Sequence, residues 1–247
     1  MNEQDIRAFA NIVRSSSNIV FFGGAGVSTE SGLKDYRSEN GIYTAVQEYG
    51  APPEEILSHD YFFERTEEFY RFYRDFFLGD ARPNAAHFAL AELEKQGKLK
   101  AVITQNIDDL HQKAGSERVF ELHGTTRKYT CPVCEEKYTK DYLLATSGVP
   151  LCRVCNHPIK PDVVLYGEQL DDSTVSCALD AISRADTLII GGTSLAVYPA
   201  AGFVRYFTGR HIVVINRTVT NMDSRADLVF REPIGEVLSA VMAQLAE

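Results

Sequence analysis

The residues best suited to chemistry are clustered. Cys131-Pro-Val-Cys134 is followed, after 17 residues, by Cys152-Arg-Val-Cys155. Each C-x-x-C turn offers two thiolates to one ion, and two such turns complete a tetrahedron, so one zinc ion is expected. With cysteine at all four positions, Cys131, Cys134, Cys152 and Cys155, no coordination site is open to water and the metal should be structural. A redox pair or two disulfides would be the alternatives, and two spaced pairs in a reducing compartment disfavour both. Bases in and around this stretch, Lys128, Lys137, Lys140 and Arg153 among them, are interspersed with Glu135, Glu136 and Asp141, a poor footprint for nucleic acid. The fifth cysteine, Cys177, falls in a helical pattern and reads as a small core residue.

A second group is polar and glycine-rich. Gly24-Ala25-Gly26-Val27-Ser28 follows an apolar run and leads toward a short helix, where free N–H groups hold a pyrophosphate. Thr29 stands where a third glycine of G-x-G-x-x-G would be, and no acidic residue closes a second strand some twenty residues on, which disfavours a hydride-transferring dehydrogenase. Arg37 downstream could pair with a phosphate. Thr104-Gln105-Asn106-Ile107-Asp108-Asp109-Leu110-His111 brings amides and carboxylates off the end of another run. Glu121-Leu122-His123-Gly124 precedes the cysteines, and Lys160 to Glu168 follows them. By residue type alone, His123 is as readily a satisfied structural histidine as a general base.

These groups need a frame. Short apolar runs recur at 18–22, 101–103, 163–165, 187–190, 212–215 and 227–230, too continuously apolar for half-exposed strands. They read as strands covered on both faces, as in a parallel sheet. Helical patterns fall at 5–14, with Ile6, Phe9, Ala10 and Val13 on one face, and at 84–96, 172–184, 199–207 and 234–245. The alternation predicts an α/β fold: a doubly wound, Rossmann-like parallel sheet with its ligands outside the carboxyl ends of the strands. Gly24-Ala25-Gly26, Gln105-Asn106, Gly192-Thr193-Ser194 and Asn216 all lie at those ends. The expected division is a Rossmann-like domain of 1–36, 81–125 and 160–247, an aromatic helical cap with the cofactor loop at 37–80, and an inserted small zinc-ribbon module at 126–159.

The chain of 247 residues carries a formal charge of −9. That disfavours a large nucleic-acid surface and would suit a lysine-bearing substrate, although solubility explains it equally well. The amino terminus lacks a basic stretch followed by an apolar one, and no apolar run reaches membrane-spanning length. The expectation is a cytoplasmic protein without membrane contact. A monomer is favoured, the oligomeric state being otherwise open.

Taken in order, these motifs resemble the sirtuin family of NAD-dependent protein-lysine deacylases along nearly the whole chain. The resemblance rests on Gly24 to Ser28, Ser31-Gly32-Leu33-Lys34-Asp35-Tyr36-Arg37, Thr104 to Asp108, His123-Gly124, the four cysteines, Gly167-Glu168 and Gly192-Thr193-Ser194-Leu195. It implies NAD as a consumed co-substrate and acylated-lysine proteins or peptides as partners. Gly24, Ala25, Gly26, Arg37 and Gln105 would hold the pyrophosphate and nicotinamide ribose, with Asn106, Ile107 and Asp108 at the nicotinamide, the Tyr36 ring covering that end, and Gly192, Thr193, Ser194 and Asn216 at the adenosine. Val164 would receive the acyl-lysine N–H on an edge strand augmented by the peptide, and Tyr166 would flank the acyl-lysine tunnel. His123 would be the general base on a ribose hydroxyl, a task suited to a group that titrates near neutrality. The products implied are nicotinamide, O-acyl-ADP-ribose and free lysine.

Two departures from the family pattern stand out. Lys34 replaces the usual proline of the cofactor loop, which would loosen it, and Tyr36 replaces phenylalanine. Members that remove acidic acyl groups carry Tyr-x-x-Arg in the cap, whereas this chain reads Tyr70-Arg71-Phe72-Tyr73. A buried acyl carboxylate without a guanidinium is costly, so apolar acyl groups are expected, acetyl first, with Tyr70 and Tyr73 beside them. An ADP-ribosyltransferase using the same NAD site is the alternative activity, and a non-catalytic zinc-ribbon binding module is a third reading.

Overall fold

The computed structural model describes residues 1–33 and 46–247; Lys34, Tyr36 and Arg37 lie outside them. A six-stranded sheet forms the frame. Its strands are β1 (Ile19–Gly23), β2 (Leu99–Thr104), β3 (Val119–Glu121), β7 (Thr187–Gly191), β8 (His211–Ile215) and β9 (Leu228–Phe230). They run in the order β3-β2-β1-β7-β8-β9, and every neighbouring pair is parallel. From β1 the chain winds first toward β2 and later toward β7, so the topological switch point lies beside β1, where open α/β sheets bind nucleotides.

Alternation along each strand covers both faces. Ile19 and Phe21 pack with Phe9, Leu90, Leu93, Val237 and Val241 on one side. Val20 and Phe22 pack with Ala178, Ile182, Phe203 and Val204 on the other. The helices supplying these residues are Glu3–Ser15, Ala85–Lys95, Asp172–Arg184 and Ile234–Leu245, together with the 3-10 run Ala200–Tyr206. The first helix buries Ile6, Phe9, Ala10 and Val13, as its period requires, and starts at Asn2, whose side chain accepts the Gln4 N–H.

Three expectations change. The run 163–165 does not join the parallel sheet. Its first residue ends β6 (Lys160–Val163), which pairs antiparallel with β4 (Gly124–Thr130), itself paired with β5 (Lys137–Thr139). An apolar run of three looks the same in either sheet, and only its long-range partner tells them apart. Strand β3, absent from the expected set, pairs with β2; its Glu121 and three-residue length hide it from an apolar-run criterion. Cys177 is exposed rather than in the core, because its helix turns Ala178, Ala181 and Ile182 inward.

The cap and the cysteine module share one core. Helix Thr66–Phe77 carries Phe69, Tyr70, Phe72 and Tyr73 buried on one side. These rings pack with Tyr129, Cys131, Leu143, Cys152, Ile159 and Val163 of the small sheet and its loops. Phe62 of helix His59–Glu64 meets Phe69 edge-on, with centroids 5.0 Å apart, the arrangement aromatic quadrupoles prefer. Among the described residues, no helix is long and apolar enough to cross a membrane.

Two histidines are sealed inside. His87 and His111 are 0% and 1% exposed, with ring centroids 4.7 Å apart. His87 Nδ1 accepts the Asn84 N–H at 3.2 Å, closing a capping box. Its Nε2 and both His111 nitrogens have no hydrogen-bond partner among the described residues. Burial lowers His87 to about 4, and burial together with the neighbouring His87 lowers His111 to about 3. The unfolded chain therefore takes up these protons first. The stability they allow is complete above about pH 6.5 and is lost as pH falls toward the folded values, by up to about 1.4 kcal/mol per pH unit for each ring. Urea midpoints should fall steeply between pH 6.5 and 5, and His111→Leu should flatten that slope. An unchanged slope in the variant would remove His111 from the account.

Candidate active site

The carboxyl ends of four parallel strands are knitted together by backbone. Gly24 N donates to Gly191 O at 3.3 Å, Gly26 N to Gly192 O at 2.8 Å, Gln105 N to Gly23 O at 3.0 Å and Gly192 N to Ile215 O at 2.9 Å. A Cβ on Gly26 would lie 2.8 Å from Gly192 Cα, and one on Gly192, at φ +59°, would strike Val27 N. The two glycine turns touch main chain to main chain, leaving a cradle that side chains would fill.

Two hollows meet over this cradle, both lined by Ala25 and Gln105. The first takes in Ser28, Asn106, Ile107, Asp108, His123, Val164 and Tyr166. The second takes in Gly26, Gly192, Thr193, Ser194 and Asn216. Sequence-predicted residues from six separate stretches thus line one continuous crevice. Gln105 Oε1 accepts the Thr193 hydroxyl at 3.2 Å, while Gln105 Nε2 is buried without a hydrogen-bond partner among the described residues. A buried donor left in that state fits a polar ligand at the junction of the hollows.

At the floor of the first hollow, Asn106 Nδ2 donates to Gly24 O at 3.1 Å and to Ser28 Oγ at 3.0 Å. Ser28 Oγ donates to Asp108 Oδ2 at 2.6 Å, and Asp108 Oδ1 accepts the Leu110 N–H at 3.0 Å. Burial pushes Asp108 up, and the Ser28 and Leu110 donors pull against it. Ile107 O is held by the Thr126 N–H and hydroxyl at 3.0 and 2.9 Å. Amide and carboxylate are therefore preset by a serine that sequence reasoning placed in the glycine motif without a role.

His123 sits between β3 and β4. Its Nδ1 lies 2.9 Å from Gln105 O. A carbonyl only accepts, so Nδ1 carries the proton and Nε2 is the basic nitrogen of the neutral ring. The turn depends on Gly124 at φ +77°, where a Cβ would collide with Asp162 O. His123 O accepts the Val164 N–H at 2.9 Å. A role for Val164 toward an acyl-lysine N–H therefore rests on its carbonyl.

Of the cap residues, Tyr73 lines the hollow together with Phe76 and Phe77. Tyr70 does not. Its ring is directed into the small sheet, where its hydroxyl donates to Ile159 O. The aromatic pattern identified the buried face of this helix but not which rings lie at its edge. Phe76 and Phe77 were missed for the same reason. Neither Arg71 nor Arg74 lines the hollow: Arg71 lies over the Tyr49 ring, and Arg74 is spent on Leu143 O, Gly148 O and the Thr146 hydroxyl.

The thiol ligand atoms of Cys131, Cys134, Cys152 and Cys155 all lie within 4.8 Å of one another. The Cys131–Cys155 and Cys134–Cys152 sulfur pairs are each 3.4 Å apart. A tetrahedral zinc with bonds of about 2.3 Å asks for sulfurs roughly 3.8 Å apart, so the four fit one ion after small shifts of the thiols. Burial pushes the Cys152 thiol up, but the Tyr138 hydroxyl and the Cys155 and Val154 N–H groups outweigh it and bring it down to about 6. Cys131 is lowered too, while the neighbouring sulfurs leave Cys134 and Cys155 raised, so without an ion the protons are shared across the four. Stabilised thiolate is the form a metal needs.

Comparison with known proteins agrees with this geometry. The model of the Sir2 family matches residues 24–199. An NAD-dependent protein deacetylase of Clostridium acetobutylicum is 52% identical over 239 residues, 96% of this chain and 98% of that protein. Its counterpart in Clostridium perfringens is 51% identical over 242 residues, 97% of this chain and 99% of that protein. A solved structure of Sir2 with a p53 peptide and NAD+ superposes with a TM-score of 0.85 at 39% identity, covering 97% of this chain and 98% of the other. Sir2 bound to an acetylated peptide gives 0.83 at 37% identity, with coverage of 97% and 98%.

Proposed function

The chain belongs to the Sir2 family, and on that premise we propose that it is an NAD-dependent protein-lysine deacetylase whose general base is His123. The observation that carries the residue assignment is the convergence of Asn106, Asp108, His123 and Val164 on one hollow that adjoins the Gly26–Gly192 cradle. NAD, consumed in the reaction, supplies the ribose carbon that exchanges nicotinamide for the acyl oxygen. Gly24, Ala25 and Gly26 take its pyrophosphate at close backbone range, and Gln105 Nε2 offers a hydrogen bond there. Thr193, Ser194 and Asn216 flank the adenosine side. Asp108 and the Ile107 backbone face the nicotinamide carboxamide, and Ser28 keeps Asp108 and Asn106 in place. His123 Nε2 removes a proton from a ribose hydroxyl, its ring oriented by the Nδ1–H bond to Gln105 O. The Val164 carbonyl accepts the acyl-lysine N–H, and Tyr166 with Tyr73, Phe76 and Phe77 surrounds the acyl end.

Such rings favour an uncharged acyl group, since Arg71 and Arg74 are engaged elsewhere. The zinc holds the small sheet together and takes no part in the reaction, because all four of its ligands are protein thiolates. Thiolates kept for a metal fit a reducing compartment, and the cytoplasm is proposed as its setting. Mass spectrometry of a reaction of NAD with acetyl-, longer acyl- and succinyl-lysine peptides tests the reading. Nicotinamide, O-acetyl-ADP-ribose and free lysine should form in equal amounts, with the succinyl peptide the poorest substrate. ADP-ribose attached to protein without any need for acyl-lysine would instead mark a transferase to protein, and absence of NAD binding would leave only a zinc-ribbon binding module.

A further inference from the structure

The segment that presents Val164 and Tyr166 is short and irregular, yet three parts of the molecule hold it. Glu168 Oε2 accepts the Leu165 N–H and the Lys160 ammonium, each at 2.9 Å. Glu168 Oε1 accepts the His59 Nδ1–H at 3.0 Å. Lys160 belongs to β6 of the small sheet, and His59 opens the cap helix His59–Glu64. Lys160 Nζ also donates to Val163 O at 2.9 Å. The backbone repeats the connection: Tyr166 N donates to Leu57 O, His59 N to Tyr166 O and Glu168 N to Leu165 O, each at 2.9 Å. Gly167, at φ +91°, makes the reversal that brings the Glu168 side chain back under its own loop.

We propose that Glu168 is a positioning residue for peptide binding: its carboxylate joins the small sheet, the cap and the 164–167 segment, and so sets the register in which that edge meets an extended substrate. This rests on the reading of Val164 as a substrate acceptor. Edge pairing makes binding sensitive to such a brace, because each main-chain hydrogen bond to an added strand needs the edge held straight. The Glu168 and Lys160 side chains are only 21% and 17% exposed, so their charges are little screened and removing one leaves the other poorly compensated. Burial pushes Glu168 up, but His59, the Leu165 N–H and Lys160 outweigh it and hold the group below the usual glutamate range. The brace is therefore ionised at neutral pH. Glu168 borders the same hollow as the groups assigned to NAD, but its carboxylate bonds to His59, Lys160 and Leu165 and to none of those groups.

The test is a split between two ligands. Glu168→Gln keeps an acceptor for the Leu165 N–H and removes the charge. Its Kd for a fluorescent acetyl-lysine peptide and its peptide KM should rise about tenfold. Its Kd for NAD and its kcat should stay close to wild type, with a melting temperature lower by only a few degrees. Glu168→Asp, which keeps the charge on a shorter arm, should recover part of the peptide affinity, and Lys160→Met should show the same split without adding to Glu168→Gln in the double variant. Unchanged peptide affinity in Glu168→Gln would overturn the proposal. So would a loss shared equally by peptide, NAD and kcat, the mark of general loosening. A wild-type protein that binds the peptide but does not deacetylate it would count against the proposed function and leave this measurement intact.

Discussion

His123→Ala should lower deacetylation of an acetyl-lysine peptide by about 10²- to 10⁴-fold, the range for removal of a general base, with the circular dichroism spectrum and NAD affinity unchanged. The selectivity follows from the position of the ring. His123 is only part-buried, and its Nδ1 bonds to Gln105 O, while the His123 backbone bond to Val164 survives truncation. Gln105, by contrast, ties the ring to Thr193 and to β1, so changes there would disturb cofactor and base together. Single-turnover measurement of peptide product by mass spectrometry reads the step directly. Deacetylation at the wild-type rate would take the base assignment away from His123 and leave the binding roles standing.

Removal of zinc should have the other large effect. Metal analysis should find about one zinc per chain. A strong chelator, or Cys131→Ser, should lower the melting temperature and abolish deacetylation. Structural zinc contributes on the order of 10 kcal/mol to the folding of small ribbons. Here Cys131 and Cys152 lie in the same core as Tyr70, Tyr73 and Val163, so the damage should spread to the cap and the peptide edge. The glycine cradle belongs to the parallel sheet and its two separate cores. NAD should therefore still bind to the chelated protein, more weakly than to the intact one. A Cys131→Ser protein that keeps its zinc and its melting point would contradict the site.

The parts legible in the sequence share a property: each is set by local chemistry. The cysteine spacing specifies a tetrahedral site wherever the rest of the chain goes. The runs at β1, β7 and β8 are apolar on both faces because both faces are covered, and small or amide residues mark their carboxyl ends. These signals located the crevice and part of its lining. Failures came where identity depends on a distant neighbour. Tyr70 and Tyr73 lie on the same helical face, yet only Tyr73 lines the hollow; which ring reaches it depends on how the cap settles against Tyr129 and Ile159. Phe76 and Phe77 carry no pattern that separates them from core. Cys177 differs from Ala178 by one helical step, which is enough to turn it to solvent.

The cysteines suggested a module at 126–159, but its sheet begins at Gly124 and ends at Val163. The flanks that join it to His123 and Val164 are therefore part of the sheet itself. Periodicity and ligand spacing, which act over a few residues, determined the covered parallel strands, the four-thiolate site and the set of polar groups at the strand ends. Tertiary packing alone decided that β4 and β6 pair, that a carbonyl of Gln105 selects the His123 tautomer, and that Glu168 reaches Lys160 and His59 at once. These contacts join residues far apart in sequence, and their free energy exists only after the chain entropy of bringing them together has been overcome by the cores on either side of the sheet.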